Sequence, residues 1–500
     1  MGDVVSTNTE QRAIISCILQ HNMNNSSPDI YPEQPPLDWK TKLAFGAGDL
    51  GPAITANISI FFLLVFFTNV AGIPAGLAGS ILMIGKIWDA VNDPMVGVLT
   101  DKTRSRRWGR RLPWLLYGAI PFGVFFFLQW IVPRFSNQPS GNIWPLFWYY
   151  VGIGVLSQVF YTVVNLPYTA MTPELTQDYD ERTQLNSFRF AFSIGGSILS
   201  LLLAKVIFER IPDRELQYVL LAAICAVISV LSLYACVFGT RDRVLAFEAR
   251  HTQQEQSEST PLVEQFKIAF SNRPFLYVIG IYLFSWLAVQ ITASIIPYFV
   301  VDCMRLKESD VPTVMIGVQG TALLMLFFWS NLSKRVGKKV VYFMGMSLWI
   351  IAQAGLFFLQ PGQIGLMYLL AVMAGVGVSV AYLVPWSMIP DVIELDELNT
   401  GHRREGLFYG FMVLLQKFGL ALGLFLVGIA LETSGFQEAT QGQPLPVQPE
   451  SALQAIRIAV GPLPTLSLIG GLFLTYFYPI SREVHAEIML KLKERRMGNG

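Results

Sequence analysis

Twelve stretches of this chain stay apolar for about 20 residues or more, and that repetition leaves few ways to fold. They lie near 43–69, 76–100, 113–132, 144–171, 186–208, 216–239, 275–301, 312–332, 340–360, 363–390, 406–431 and 455–480. A helix that crosses a bilayer needs about 20 mainly apolar residues. A barrel strand needs only about 10 and alternates in polarity; these runs are longer and do not alternate. The expected fold is therefore an all-α integral membrane protein with twelve transmembrane helices. Composition excludes the soluble alternatives. Hydrophobic residues make up 53% of the 500, charged residues 14%, and mean hydropathy is +0.46, against about 25% charged in a soluble domain. A net charge of +1 offers no bulk field for nucleic acid. Cys17, Cys225, Cys236 and Cys303 lack the spacing of a zinc or redox motif.

The polar stretch 1–41 has no basic segment leading into a short apolar one, so it reads as a cytoplasmic tail and not as a signal peptide. Its opening Met1-Gly-Asp-Val-Val-Ser6 fits the permissive myristoylation pattern, which a chain with twelve spans does not need. Lys and Arg cluster in alternate connections: Lys102 to Arg111, Arg241 to Arg273, Lys334 to Lys339, and Arg482 to Arg496. That bias puts these loops and both termini in the cytoplasm of a multi-pass protein of the cell membrane. The reading divides the chain into the tail, a six-helix bundle over 42–240, a central loop over 241–274, a second bundle over 275–480, and a C-terminal tail over 481–500.

The two halves echo each other. Trp108-Gly-Arg-Arg111 corresponds to Val336-Gly-Lys-Lys339. Pro167-Tyr-Thr-Ala-Met171 corresponds to Pro385-Trp-Ser-Met388, and each is followed by an acidic turn, Pro173-Glu174 and Pro390-Asp391. Duplicated bundles of this kind are the pattern of transporters whose site lies between halves at mid-membrane.

The second span carries the most informative residues: Gly85-Lys-Ile-Trp-Asp89-Ala-Val-Asn-Asp93-Pro-Met-Val-Gly97. A carboxylate at the centre of a spanning helix costs about 2.5–3.5 kcal/mol on insertion scales. Asp89 and Asp93 stand four residues apart on one face, with Lys86 close to it. Pro94 releases the carbonyl of Ala90 from its helical bond, and Asn92 adds an amide oxygen. Such a cluster of oxygens suits a hard monovalent cation or a proton. The structural alternative pairs Asp89 with Lys86 and leaves Asp93 capping a neighbouring helix. Asp49 lies near the cytoplasmic end of the first span, either solvated or paired at an interface.

Lys417 sits mid-span in the eleventh run and needs an anion, either the acid pair or a substrate group. Arg189 could reach a phosphate or a buried carboxylate, whereas Arg457 sits near a span end and is expected to snorkel to the headgroups. Thr55, Asn57, Gln158, Thr162, Asn165, Gln290, Gln319, Gln353 and Gln416 interrupt apolar spans and read singly as interhelical glue. Tyr382 and Trp386, near the end of the tenth span, could stack on a sugar face. The basic loop 101–111, with Asp101, Arg110 and Arg111, reads as topogenic and as a lock on the cytoplasmic face. The four histidines (His21, His251, His402, His485) lie outside the spans, which argues against an intramembrane enzyme built on histidine.

Trp88-Asp-Ala-Val-Asn-Asp-Pro-Met-Val-Gly97, followed by Asp101-Lys-Thr-Arg-Ser-Arg-Arg-Trp-Gly-Arg-Arg-Leu-Pro-Trp114, closely resembles the glycoside–pentoside–hexuronide:cation symporters of the major facilitator superfamily. The resemblance runs from about Lys42 to Pro479. It implies the major facilitator fold, two pseudo-symmetric six-helix bundles working by alternating access. It further implies a sodium, lithium or proton site at Asp89, Asp93, Asn92 and Thr162. By the same resemblance Arg189, Lys417, Asn165, Thr169 and Tyr382 face the substrate; Trp386 is expected beside Tyr382, and the charged Lys86, Asp49, Asp101, Arg110 and Arg111 are expected to serve coupling or gating. The sugar site departs from the galactoside pattern: the acids that grip sugar hydroxyls fall at Ala53 and Asn165, and the stacking tryptophan at Thr169. The expected function is cation-coupled symport of a sugar or glycoside, with no enzymatic activity and no cofactor beyond the coupling ion. The sodium-dependent lysophosphatidylcholine symporters, which are similar, make a lysophospholipid-like amphiphile the alternative cargo. A receptor that has lost transport is the remaining class. A monomer that meets its small-molecule substrate and the lipid bilayer is expected.

Overall fold

The computed structural model describes residues 36–103, 105, 107–136, 139–176, 179–251, 262–401, 404–438 and 446–498. The myristoylation pattern, most of the expected N-terminal tail, and the middle of the central loop therefore lie outside the described residues. Twelve long helices follow one another: α1 (Trp39–Asn69), α2 (Ala75–Lys102), α3 (Leu112–Leu128), α4 (Pro139–Ala170), α5 (Tyr179–Arg210), α6 (Arg214–His251), α7 (Arg273–Tyr298), α8 (Val311–Val336), α9 (Lys338–Phe358), α10 (Ile364–Thr400), α11 (Glu405–Thr433) and α12 (Glu450–Phe477, interrupted at Gly461). Among the described residues, ten helices are long and apolar enough to span a membrane by length and composition. The other two are α3, only 17 residues long, and α2, whose hydropathy is lowered by Lys86, Asp89, Asp93 and Asp101.

Helix starts follow local chemistry. The Asp38 carboxylate accepts the Thr41 N–H at 3.0 Å and the Asn272 side chain accepts Phe275 N–H at 3.1 Å, each satisfying a donor that the first turn leaves open. Two polar segments differ from expectation. Much of the segment read as a central loop is helical, because α6 runs on to His251 and a further helix covers Leu262–Ser271. Its charged residues extend a helix out of the apolar zone instead of ending it. The C-terminal tail is likewise a helix, α13 (Arg482–Gly498), which buries Ile488 and Leu492 against the second half.

The duplication is visible in the packing. Within the first six helices, α1 packs on α5 and α6, α2 on α4, and α3 on α4 and α6. Each pairing recurs six helices later: α7 on α11 and α12, α8 on α10, and α9 on α10 and α12. Between halves, α2 meets α11, α1 meets α7, and α5 meets α8. At the end away from the Lys/Arg-rich loops, one apolar cluster joins both halves, from Phe61–Phe67 and Phe208 to Tyr298, Val427 and Leu431. At the basic end the buried clusters belong to one half each. The halves are thus closed together at the outer end and divided at the basic end.

Polar contacts seal the closed end. Thr68 and Tyr298 share a 2.7 Å hydroxyl–hydroxyl bond, Arg214 pairs with Glu308 at 2.9 Å, and Glu438 accepts the Ala75 N–H at 3.1 Å. Where α2 crosses α11, a Cβ built on Gly428 would stand 2.5 Å from the Ala75 carbonyl and 3.0 Å from the Gly79 Cα. Only glycine permits that approach, a small-residue crossing of the kind membrane helices use. Gly428→Ala is expected to cost this packing about 1–3 kcal/mol of overpacking, which favours separation of the halves at this end by about 5–150-fold. Spin-label distances between the outer ends of α2 and α11 check it, and an unchanged distribution rejects it.

Burial holds the Glu438 carboxyl above its ordinary value near 4.5, and neighbouring Glu432 pushes the same way, while bonds from the Glu438 and Ala75 N–H groups oppose both. A group that keeps its proton more tightly in the closed state draws the equilibrium toward that state as pH falls. Between the raised value and 4.5, acidification is therefore expected to favour outer closure, and Glu438→Gln to remove that dependence. The same distance measurement at stepped pH decides it.

Candidate functional site

The charged residues of α2 face α4 and α11 at the contact between halves. Asp89 is 2% exposed and the Asp93 side chain 27%, so the pair is sealed on one side and reachable on the other. Thr162 of α4 places its hydroxyl 3.0 Å from Asp89 Oδ1 and 3.0 Å from Asp93 Oδ1. Lys417 of α11 places Nζ 3.0 Å from Asp89 Oδ2 and 2.5 Å from Asp93 Oδ2. Each carboxylate thus gives one oxygen to the threonine and the other to the lysine, and four side chains from three helices close a ring.

Of the two partners expected for Lys417, the structure shows the acid pair. The Lys417 ammonium sits between them, because two anions in low dielectric need a counter-charge in every state the protein occupies. Pairing of Lys86 with Asp89 is not what the structure shows: Lys86 Nζ donates to Gln158 Oε1 of α4 at 3.2 Å. Asn92 is buried, and its Nδ2 has no hydrogen-bond partner.

Asp49 is buried and paired with Arg189 of α5 at 3.2 Å, which settles its two readings in favour of the interface. The guanidinium also lies 5.8 Å from the Tyr168 ring centre. Asn165 is partly buried one turn beyond Thr162, and Thr169 returns its hydroxyl to the Leu166 carbonyl at 2.9 Å; neither hydrogen-bonds to the ring of acids. Tyr382 meets Trp286 edge-on at 5.4 Å, while Trp386 stacks on Tyr409 at 6.0 Å and meets Tyr282 at 5.9 Å. These five aromatics of α7, α10 and α11 form one group. Tyr282 and Tyr409 carried no signal in the sequence, since aromatics in spans are common.

Arg457 differs from expectation. Its Nη1 donates to the Phe357 and Leu359 carbonyls at 3.0 and 2.6 Å, capping the end of α9 instead of reaching headgroups. Open carbonyls at a helix C-terminus in apolar surroundings are a nearer partner than lipid. At the basic end, Arg110 and Arg111 bind Glu174 at 2.7 and 3.2 Å. Lys338 binds both oxygens of Asp391 at 2.7 and 2.8 Å. His485 of α13 joins Glu394 at 2.6 Å and Asp391 at 3.5 Å. The Asp101 side chain lies outside the described residues.

Duplicated six-helix bundles closed at one end, with a buried charge ring where they meet, define a major facilitator transporter. The family described as MFS/sugar transport protein matches residues 44–482, and the chain belongs to it, among carriers like the glycoside–pentoside–hexuronide:cation symporters. It is 53% identical to an uncharacterized symporter of Synechocystis, covering 93% of this chain and 98% of that one. It is 28% identical to sodium-dependent lysophosphatidylcholine symporter 1 of Xenopus tropicalis, over 89% and 87% of the two chains. The isoprimeverose transporter of Lactiplantibacillus pentosus is 27% identical, over 84% and 87%. Among solved structures, a mutant of the nucleoside transporter NupG superposes with a TM-score of 0.63 at 13% identity, covering 88% of this chain and 98% of that one.

Breaking a buried ion pair by removing one partner costs about 3–5 kcal/mol. Lys417→Ala is expected to lower the melting temperature in detergent clearly, and Asp89→Asn combined with it to recover part of the loss. Additive losses in that double-mutant cycle would dissolve the ring.

Proposed function

We propose that this transporter is a cation-coupled symporter, using Na⁺ or H⁺, that carries a sugar or glycoside by alternating access. It is not an enzyme and uses no cofactor beyond the coupling ion. It works as a monomer in the cell membrane with both termini cytoplasmic, so the state described here faces inward. The ring of Asp89, Asp93, Thr162 and Lys417 carries this reading. Its carboxylate and hydroxyl oxygens are the ligands a small hard cation takes, and the ammonium now between them is a charge such a cation can replace. Asn92 supplies a further amide oxygen from the same helix. Because α2 and α11 belong to different halves, exchanging Lys417 for a cation changes the bond between halves, which is what coupling requires.

Arg189, Asn165, Thr169, Tyr382 and Trp386 are proposed to line the cargo path. Lys86 and Asp49 tune the neighbouring charges, Arg110 and Arg111 with Glu174 gate the cytoplasmic end, and Asp101 is assigned to the same gate. A lysophospholipid-like amphiphile is the second reading. The similarity to the Xenopus lysophosphatidylcholine symporter supports it, as do the uncharged Ala53 and Asn165 where galactoside carriers hold hydroxyl acceptors.

Uptake into proteoliposomes of a sugar panel and a lysolipid, with and without a sodium or proton gradient, tests the proposal. Gradient-driven accumulation is expected, and Asp93→Asn is expected to abolish it while leaving membrane insertion normal. Flux that ignores both gradients and the Asp93 carboxylate removes the symport reading.

A further inference from the structure

Asn57 of α1 and Gln319 of α8 interrupt apolar spans that belong to different halves, and the structure joins them. Gln319 Nε2 donates to Asn57 Oδ1 at 2.9 Å. Asn57 is buried, and its Nδ2 donates to Ser200 Oγ at 2.9 Å and to the Ser197 carbonyl at 3.1 Å, both on α5. Those bonds fix the amide: turned over, its oxygen would face the Ser197 carbonyl, acceptor against acceptor. The first half therefore uses the Asn57 donors and presents the acceptor to the second half. Both residues lie just past the middle of their helices toward the closed end. Along α1, Asn57 is deeper than the Thr68–Tyr298 bond by about 16 Å, at 1.5 Å per residue. None of these bonds involves Asp89, Asp93, Thr162 or Lys417.

We infer that this amide pair is a latch of the transport cycle, made while the outer end is closed and exchanged for water when it opens, and that it sets the balance of inward- and outward-facing forms independently of the coupling ion. This rests on the alternating-access part of the reading above, and not on its cation or its cargo. The chemistry suits a bond that is broken and remade in every cycle. A hydrogen bond traded for bonds to water nets little, whereas a buried acceptor left with no donor bears its whole desolvation penalty. An apolar pair in the same place would hold the outer end shut, since opening would expose it to water. A charged pair would respond to an arriving cation, as the ring of acids does. Two neutral amides avoid both. Ser197 and Ser200 keep the Asn57 oxygen aimed while the halves are apart, so the bond re-forms with little side-chain ordering left to do.

Spin-label distances between the outer ends of α1 and α8, on the full chain in proteoliposomes, test this. Gln319→Leu leaves the Asn57 oxygen without its donor only while the halves are together. It is expected to raise the ratio of outer-open to outer-closed molecules by about tenfold. Gln319→Met, which keeps the length of the side chain, is expected to do the same. Adding Asn57→Leu to Gln319→Leu removes both polar groups, while Ser200 keeps its bond to the Ser197 carbonyl. The ratio is then expected to return to the parent value or fall below it. A sodium or pH step is expected to multiply the ratio by the same factor in the parent and in Gln319→Leu. Unchanged distances in both single variants, a double variant more open than Gln319→Leu, or a sodium response confined to one chain overturns the inference. A lower melting temperature with no change in distances would mark ordinary glue and overturns it too. If Gly428→Ala opens the outer end and neither Gln319 variant does, alternating access stands and the latch falls. If the Gln319 variants open it while neither chain responds to sodium or pH, the latch stands and the cation reading falls.

Discussion

Two carboxylates four residues apart on α2 impose a demand that the rest of the molecule meets. In the low dielectric between helices their charges repel each other and each has lost water, so every state needs a positive partner. In this state that partner is Lys417, which arrives on a helix from the other half. The helices are therefore not free to place α2 and α11 independently. The Gly79–Gly428 crossing that lets their backbones touch at the outer end is the geometric side of the same constraint. Thr162 completes it from α4, its single hydroxyl proton shared between one oxygen of each acid.

The basic turns and the acidic turns of the two halves form one device built twice. In the first half Arg110 and Arg111, after the second helix, hold Glu174 past the end of the fourth. In the second half Lys338, at the start of α9, holds Asp391 in the last third of α10. The first latch ties the turn before α3 to the chain just past the end of α4, and the second ties the start of α9 to α10, each within its own bundle at the basic end. The second half adds His485, which fastens α13 to the same acids.

The membrane fold was legible because its signal is long: twenty apolar residues cannot be mistaken for a loop, and loop charge orients them. Asp89, Asp93 and Lys417 were legible for the opposite reason, as charges where none should be. The acid pair stood among the partners read for Lys417, and a buried carboxylate among those for Arg189, but the partners of Lys86 and Arg457 were not legible. Lys86 sits one turn from Asp89 in sequence, yet bonds to Gln158, since which face a side chain takes depends on the helix packed against it. Arg457 looked like a headgroup anchor because the sequence does not reveal that α9 ends beside it with open carbonyls. The helical parts of 241–274 and 481–500 were hidden by polarity, which separates membrane from water but not helix from loop. Tyr282 and Tyr409 joined Trp386 only through tertiary packing.

The arrangement of closures gives the transport cycle its logic. At the outer end the halves are joined by an apolar cluster, a hydroxyl pair, one ion pair and a capped helix N-terminus, all of which must part together for the carrier to turn. The Asp38 cap and the latches at the basic end lie within one half and survive the turn. The charge ring lies between these regions and spans the halves, so under the proposed coupling it is the element whose bonding an arriving cation would change most. A ligand shifts an equilibrium only by its differential affinity for two states. With that coupling, a cation that displaced Lys417 from the acids would remove the ionic link between α2 and α11, and the contact between these two helices would then rest on packing alone.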